Sequence, residues 1–213
     1  MTGKPSDIER KLRNVPTQAR SRERLRRVLD AADELLCDEG AEAFTTTRIA
    51  EVAGVAVGSV YHYFPDKETI AEALAVRYWS DFEDLVAAVA ETDERAALAD
   101  PAGAVLEALA AGFRARPGFL ALWYGGLRSE RIREATRPTR SAIARSIERI
   151  FAVHWPQATS ERRAKVARMV VIAGDGMLRE AFRIDSDGDQ PLLVESRAML
   201  DAYARARLGS PPA

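Results

Sequence analysis

Cysteine occurs once in the 213 residues, at Cys37, and histidine only twice. A single thiol excludes an intramolecular disulfide and suits a reducing compartment. Cys37 flanks an apolar helical stripe, where a small buried or half-buried hydrophobe is expected. Two distant histidines and one cysteine give no zinc-ligand spacing, and no cofactor motif is present. Long apolar runs are absent, because Arg, Asp or Gly interrupts each of them. No segment is therefore long enough to span a bilayer, and MTGKPSDIERKL has no apolar signal-peptide core, so a cytoplasmic location is expected. Neither a Gly-rich phosphate loop nor a local Ser–His or Cys–His motif occurs, which argues against an enzyme. Strand-like alternation and internal repeats are missing as well.

What is present is apolar material for a core, 47% of residues, and charge, 30%, in near balance at a formal −1. The balance does not suggest a nucleic-acid binder, but the distribution does. Arg10, Lys11, Arg13, Arg20, Arg22, Arg24, Arg26 and Arg27 face only one acid in the same stretch, Glu23. Such an arm either follows a phosphate backbone or is a solvated tail. Residues 1–20, with Pro5 and Pro16 and no apolar period, are expected to be poorly ordered.

Helical periodicity then takes over. Leu25, Val28, Leu29, Ala32, Leu35 and Leu36 form one stripe, with Ser21 as expected cap and Gly40 as stop. A short helix is predicted over Thr46–Ala53, capped by Thr45 or Thr46 and closed by a tight turn at Gly54-Val55. A third runs from Val57 to Tyr63 and ends before Pro65. Asp66 caps a long fourth helix carrying Ile70, Leu74, Tyr78, Phe82 and Leu85. Further helices are expected over Pro101–Arg116, Pro117–Tyr124, Ser129–Trp155 (a pair, or one kinked at Pro138), Ser160–Ile184 and Pro191–Leu208.

Two short helices joined by a glycine-containing turn, over about 45–64, form a helix-turn-helix whose second helix can enter the major groove of duplex DNA. The residue types suit that task. Gly58 and Ser59, following Val57, are small enough for close backbone approach. Tyr61 projects from the polar side and is expected on DNA, whereas Tyr63 and Phe64 are expected in the core. His62 suits either phosphate or solvent. Thr45, Thr46, Thr47 and Arg48 at the start of the second helix can hold phosphate through hydroxyl, guanidinium and helix N-terminal N–H groups. Arg48 can equally be a solvated charge. Lys67 adds a further phosphate contact.

Over Arg24 to Leu74 the sequence resembles the DNA-binding domain of TetR-type, tetracycline-repressor-like regulators. The resemblance rests on Leu29-Asp-Ala-Ala32, Gly40, Thr45-Thr46, Ile49-Ala50, Ala53-Gly54-Val55, Gly58-Ser59-Val60-Tyr61, Tyr63-Phe64 and Asp66-Lys67-Glu68. It implies an all-α fold with a three-helix head, a C-terminal helical bundle holding a ligand cavity, and a homodimer built through the last two long helices. One position departs from the pattern: Ala56 stands where such regulators carry Ser or Thr as cap of the recognition helix, at a cost of about 1 kcal/mol.

The expected domains are a basic arm (1–20), the DNA-binding domain (21–82) and an effector-binding and dimerisation domain (83–213). In the last, Phe113, Phe119, Trp123, Tyr124, Met177 and Phe182 either line a cavity or form ordinary core. Asp175, between Gly174 and Gly176 in an apolar helix, requires a partner. It is expected to face the cavity, to pair with Arg179 or Arg128, or to touch a dimer mate. The run Asp185-Ser-Asp-Gly-Asp189 does not fit a calcium loop, since glycine is fourth and Glu195 eleventh, and reads as a polar turn. The function expected is ligand-released repression at a palindromic operator. The alternatives are a DNA-binding regulator controlled by a protein partner or by abundance and, remotely, an enzyme using the helical body.

Overall fold

The computed structural model describes residues 18–96, 98–127 and 129–209; Arg10, Lys11 and Arg13 of the basic arm, and Arg128, lie outside them. Among the described residues all regular structure is helical. The helices are α1 (Ala19–Asp38), α2 (Thr46–Ala53), α3 (Val57–Tyr63), α4 (Lys67–Ala96), α5 (Pro101–Ala115), α6 (Gly118–Tyr124), α7 (Glu130–His154), α8 (Ser160–Ile184) and α9 (Gln190–Leu208), with a 3-10 turn at Ala41–Ala43. No helix among them is long and apolar enough to cross a membrane.

Two compact units result. The first takes the chain to Trp79 together with Arg116–Arg137; the second takes Ser80–Ala115 and the chain from Pro138 onward. This division differs from the 21–82 and 83–213 bounds read from the sequence, because α6 and the first turns of α7 pack with the head. Gly118 makes the approach possible. A Cβ there would lie 2.5 Å from Tyr78 Oη and 2.7 Å from Asp33 Oδ1. Arg116, just before α6, donates to Asp33 Oδ2 at 3.2 Å. Tyr78 and Trp79 meet Phe119 edge-on, at 5.8 and 6.0 Å between ring centroids.

In the first unit the α1 stripe is buried as its spacing demands: Leu25, Val28, Leu29, Ala32, Leu35 and Leu36. Phe44, Ile49, Val60, Tyr63, Phe64, Ile70 and Leu74 complete that core. The α1 cap differs from expectation. The helix begins two residues before Ser21, and Gln18 at its N-cap makes no side-chain cap bond. Cys37 also departs from its expected burial. The residue is exposed, with Sγ 3.8 Å from Asp33 Oδ1. Its Sγ is nonetheless partly desolvated beside Asp33 and Gly118, and that desolvation, then the Asp33 charge, raise the thiol's pKa.

The second unit is built on a ring stack. Phe113 stacks on Phe82 at 5.2 Å and on Phe182 at 5.0 Å. Gly112 lets α5 come this close, since a Cβ would sit 2.8 Å from the Phe82 ring. Pro138 lies inside one continuous helix, α7, rather than between two. The missing N–H and ring clash cost about 3 kcal/mol in a helix interior. Ala135 and Thr136 before it, and Ala142 and Ile143 after it, are buried. The Asp185–Asp189 run is a turn: Gly188 takes φ +89°, and the Asp189 carboxylate caps α9 by accepting from Leu192 N at 2.8 Å.

Candidate nucleic-acid interface

Local chemistry sets the ends of the two short helices. Thr45 is extended, and its hydroxyl accepts from Arg48 N at 3.2 Å, which satisfies one free donor of the first turn of α2. α2 stops at Gly54, whose left-handed φ of +62° costs no Cβ clash. Ala56 caps α3 with no side-chain bond, as expected of alanine. α3 ends at Tyr63, before extended Phe64 and Pro65.

Burial then divides α3 by face. Val60 and Tyr63 are inside. Tyr61 is 45% exposed, and Gly58 and His62 are also exposed, with Val57 and Ser59 partly so. A Cβ on Gly58 would meet nothing within 4 Å, so packing within the chain does not call for glycine at that position. A backbone left bare on an exposed helix face is what close approach by a partner needs.

The expected residues of α2 come to the same place. The Tyr61 hydroxyl lies 3.1 Å from Thr46 Oγ1, joining the start of α2 to α3. Thr45 and Thr47 are exposed. Arg48 is half-exposed and held by two acids, Glu39 at 2.6 Å and Glu51 at 3.1 Å. The Arg48 hydrogen bond in turn holds the Glu39 carboxyl below its ordinary pKa. Exposed pairs of this kind are screened by solvent and contribute little, so a phosphate can compete for the guanidinium.

Lys67 opens α4, beside a cap that fixes the helix start. Asp66 Oδ1 accepts from Thr69 N at 2.7 Å and from the Thr69 hydroxyl. Arg131, from the first turn of α7, reaches Glu72 at 2.5 Å, Thr69 Oγ1 at 3.2 Å and Asp66 at 3.7 Å. Burial works to raise the Asp66 carboxyl, but the Thr69 hydroxyl and N–H, with Arg131, outweigh it and hold the pKa below its ordinary value. A depressed carboxylate stabilises the fold above its unfolded pKa, and that contribution is lost as pH falls through the lowered folded value. The melting-temperature gap between the parent and Asp66→Ala is therefore widest near neutrality and narrows in acid. A gap independent of pH removes the ionised cap from the account.

The residues expected to bind an effector are distributed differently. Trp123 and Tyr124 lie on α6 in the first unit, where Trp123 stacks on Phe119 at 6.1 Å and Tyr124 is 52% exposed. Phe113, Asp175, Met177 and Phe182 lie in the second. Phe113 and Phe182 are buried against each other. Of the partners expected for Asp175, Arg179 is met: the ion pair is 3.1 Å long and largely buried.

Two side-chain placements are not marked in the sequence: that of Arg27, which donates to the carbonyls of Ala53 and Gly54, and that of Arg131. Each acts on an element far along the chain, and no local pattern marks it.

Comparison with known proteins agrees with this geometry. The family described as bacterial regulatory proteins, tetR family, matches residues 28–74, and the tetracyclin repressor-like C-terminal domain matches residues 96–208. No curated protein matches the chain in sequence. Among solved structures, a TetR-family transcriptional regulator from Streptomyces coelicolor is 28% identical, with a TM-score of 0.65 over 87% of this chain and 99% of that one. A TetR-family regulator from Mesorhizobium loti shares the fold at 18% identity, with a TM-score of 0.68 over 89% of this chain and 98% of that one. The multidrug binding protein EbrR, complexed with imidazole, shares it at 21% identity, with a TM-score of 0.61 over 84% and 94%. With both family segments matched and a helix-turn-helix whose second helix is open on one face, the chain belongs to the TetR family of transcriptional regulators, which are DNA-binding proteins and not enzymes.

Proposed function

We propose that the protein is a cytoplasmic repressor that binds a palindromic operator as a homodimer and is released by a small-molecule effector. The observation that carries the operator reading is the open face of α3, where exposed Tyr61 meets Thr46 and Gly58 bares the backbone. On this reading α3 enters the major groove through Val57, Gly58, Ser59, Tyr61 and His62. Thr45, Thr46, Thr47, Arg48 and Lys67 hold the flanking phosphates.

The dimer reading is supported by α8 and α9, which pack together and still leave Met169, Ile172, Val194 and Met199 about half-exposed or more. Binding successive major grooves of one operator calls for two copies of α3 about 34–36 Å apart, one helical turn of DNA. The effector reading is supported by the match to the tetracyclin repressor-like C-terminal domain and by the fold shared with EbrR, itself a multidrug binding protein. An effector that fits the body better when the heads are wrongly spaced weakens operator binding, and by linkage the operator weakens effector binding equally. One observation favours control by a protein partner or by abundance instead. Phe113 and Phe182, each 4% exposed, are spent on each other.

Sequencing the genomic fragments that the protein retains tests the operator reading. Palindromic half-sites one turn apart are expected, and no enrichment over random competitor overturns it. Release of such a fragment by members of a small-molecule library, each also raising Tm, separates the effector reading from its alternative. Tyr61→Ala and Lys67→Ala each lower operator affinity about tenfold with the fold intact. A gel-shift affinity within about twofold of the parent removes the residue from the interface.

A further inference from the structure

Arg27 lies in the basic stretch that the sequence suggests for phosphate and is an exposed residue, yet its guanidinium is bonded to the backbone of the head. Its Nη2 donates to the carbonyl of Ala53 and, at 3.1 Å, to that of Gly54. The accounting at the end of α2 shows why these two oxygens are available. Gly54 N returns to Ala50 O and Glu51 O, and Val55 N returns to Ala50 O at 3.0 Å. Those bonds consume the nearest N–H donors of the turn and leave the last carbonyls to another group. A cation at the negative end of a helix is also favoured by its dipole. Gly54 completes the arrangement, because a Cβ on it would stand 3.0 Å from Arg27 Nη2.

Arg27 thus holds the turn between α2 and α3 to α1, through one planar guanidinium on two successive carbonyls. Its neighbour Arg26 is engaged elsewhere, by Glu23 at 2.6 Å and Asp30 at 2.7 Å. We infer that Arg27 is a positioning residue for sequence recognition: it sets how α3 is presented to the groove and does not itself neutralise a phosphate. This rests on α3 being the reading helix.

The test uses the full chain and a duplex that the parent protein selects from a random-sequence pool, beside a scrambled duplex of equal length. Affinities for both are measured over a salt series, at a temperature where circular dichroism shows each variant folded. Arg27→Gln, which cannot bridge both carbonyls with a charge, lowers affinity for the selected duplex about tenfold and leaves the scrambled duplex and the salt slope unchanged. Arg27→Lys, which reaches one carbonyl, loses about threefold in the same ratio. Equal losses on both duplexes with a slope shallower by about one make Arg27 a phosphate contact and overturn the inference. A selected-to-scrambled ratio equal to the parent's in folded Arg27→Gln overturns it too. If the glutamine variant does not fold, the lysine variant decides by the same ratio. A parent that selects no sequence at all sinks the α3 reading itself, a result distinct from failure of the Arg27 assignment.

Discussion

Ile172→Glu yields a folded monomer whose affinity for a two-half-site operator is lower by about a hundredfold or more. Ile172 is 47% exposed, and Met169, one turn away on α8, equally so. On α9, Val194 is 63% and Met199 52% exposed. Bare apolar side chains on two adjoining long helices gain roughly 25 cal/mol for each Å² they remove from water when a second copy covers them. A carboxylate set among them must be desolvated when a second copy covers it, a cost that opposes association. The same carboxylate on a lone subunit faces water and costs the fold little. The operator loss follows from linkage of the two heads. In the dimer the second head binds at the effective concentration set by the first, and a monomer loses that advantage. Sedimentation equilibrium and gel shift on one preparation check both parts. A variant that stays dimeric removes Ile172 from the interface, and a monomer with parental operator affinity removes the dimer from the mechanism.

Asp33→Ala costs the head about 3 kcal/mol, a fall in Tm of roughly 6–12 °C. Asp33 is buried on α1 and accepts from Tyr78 Oη at 2.5 Å, from Arg77 at 2.9 Å and from Arg116 at 3.2 Å. Burial, then the Asp33 charge, push the Tyr78 hydroxyl far above its ordinary pKa, so it remains a donor at every working pH. Without the carboxylate, a fully buried hydroxyl loses its acceptor and the largely buried Arg77 keeps Asp30 at 2.7 Å and a long bond to the Leu29 carbonyl at 3.4 Å. Arg116 loses this partner as well, so the approach of α6 loosens together with α1 and α4. Asp30→Ala is the contrast. Asp30 is 45% exposed, and its loss costs under about 1 kcal/mol. Thermal melts of the two variants decide. Equal shifts make Asp33 an ordinary surface pair, against the geometry.

Much of the head was legible because its signals are local. Thr45 as cap, Gly54 as left-handed stop, Asp66 on the first turn of α4 and the α1 stripe each follow from residues three or four apart. The open face of α3 was legible for the same reason, since Val60 and Tyr63 share one side and Tyr61 the other. The α1 start was not. A hydroxyl at Ser21 resembles a cap, but the chain turns at Gln18, and cap propensity is worth too little to override the rest of a long helix.

The sequence by itself determined which segments are helices, where most of them end, and that a helix-turn-helix precedes an all-helical remainder. These are decided by bonds and contacts within a turn or two, so short-range patterns suffice. Only the tertiary structure decided that Arg27 meets Gly54, 27 residues on, that Arg116 meets Asp33, 83 residues back, and that Arg131 steadies the start of the helix carrying Lys67. It also decided that Pro138 is carried inside one helix and that α6 packs with the head. Those outcomes depend on which helix faces adjoin, a property of the packed whole that helical periodicity along a single chain does not encode.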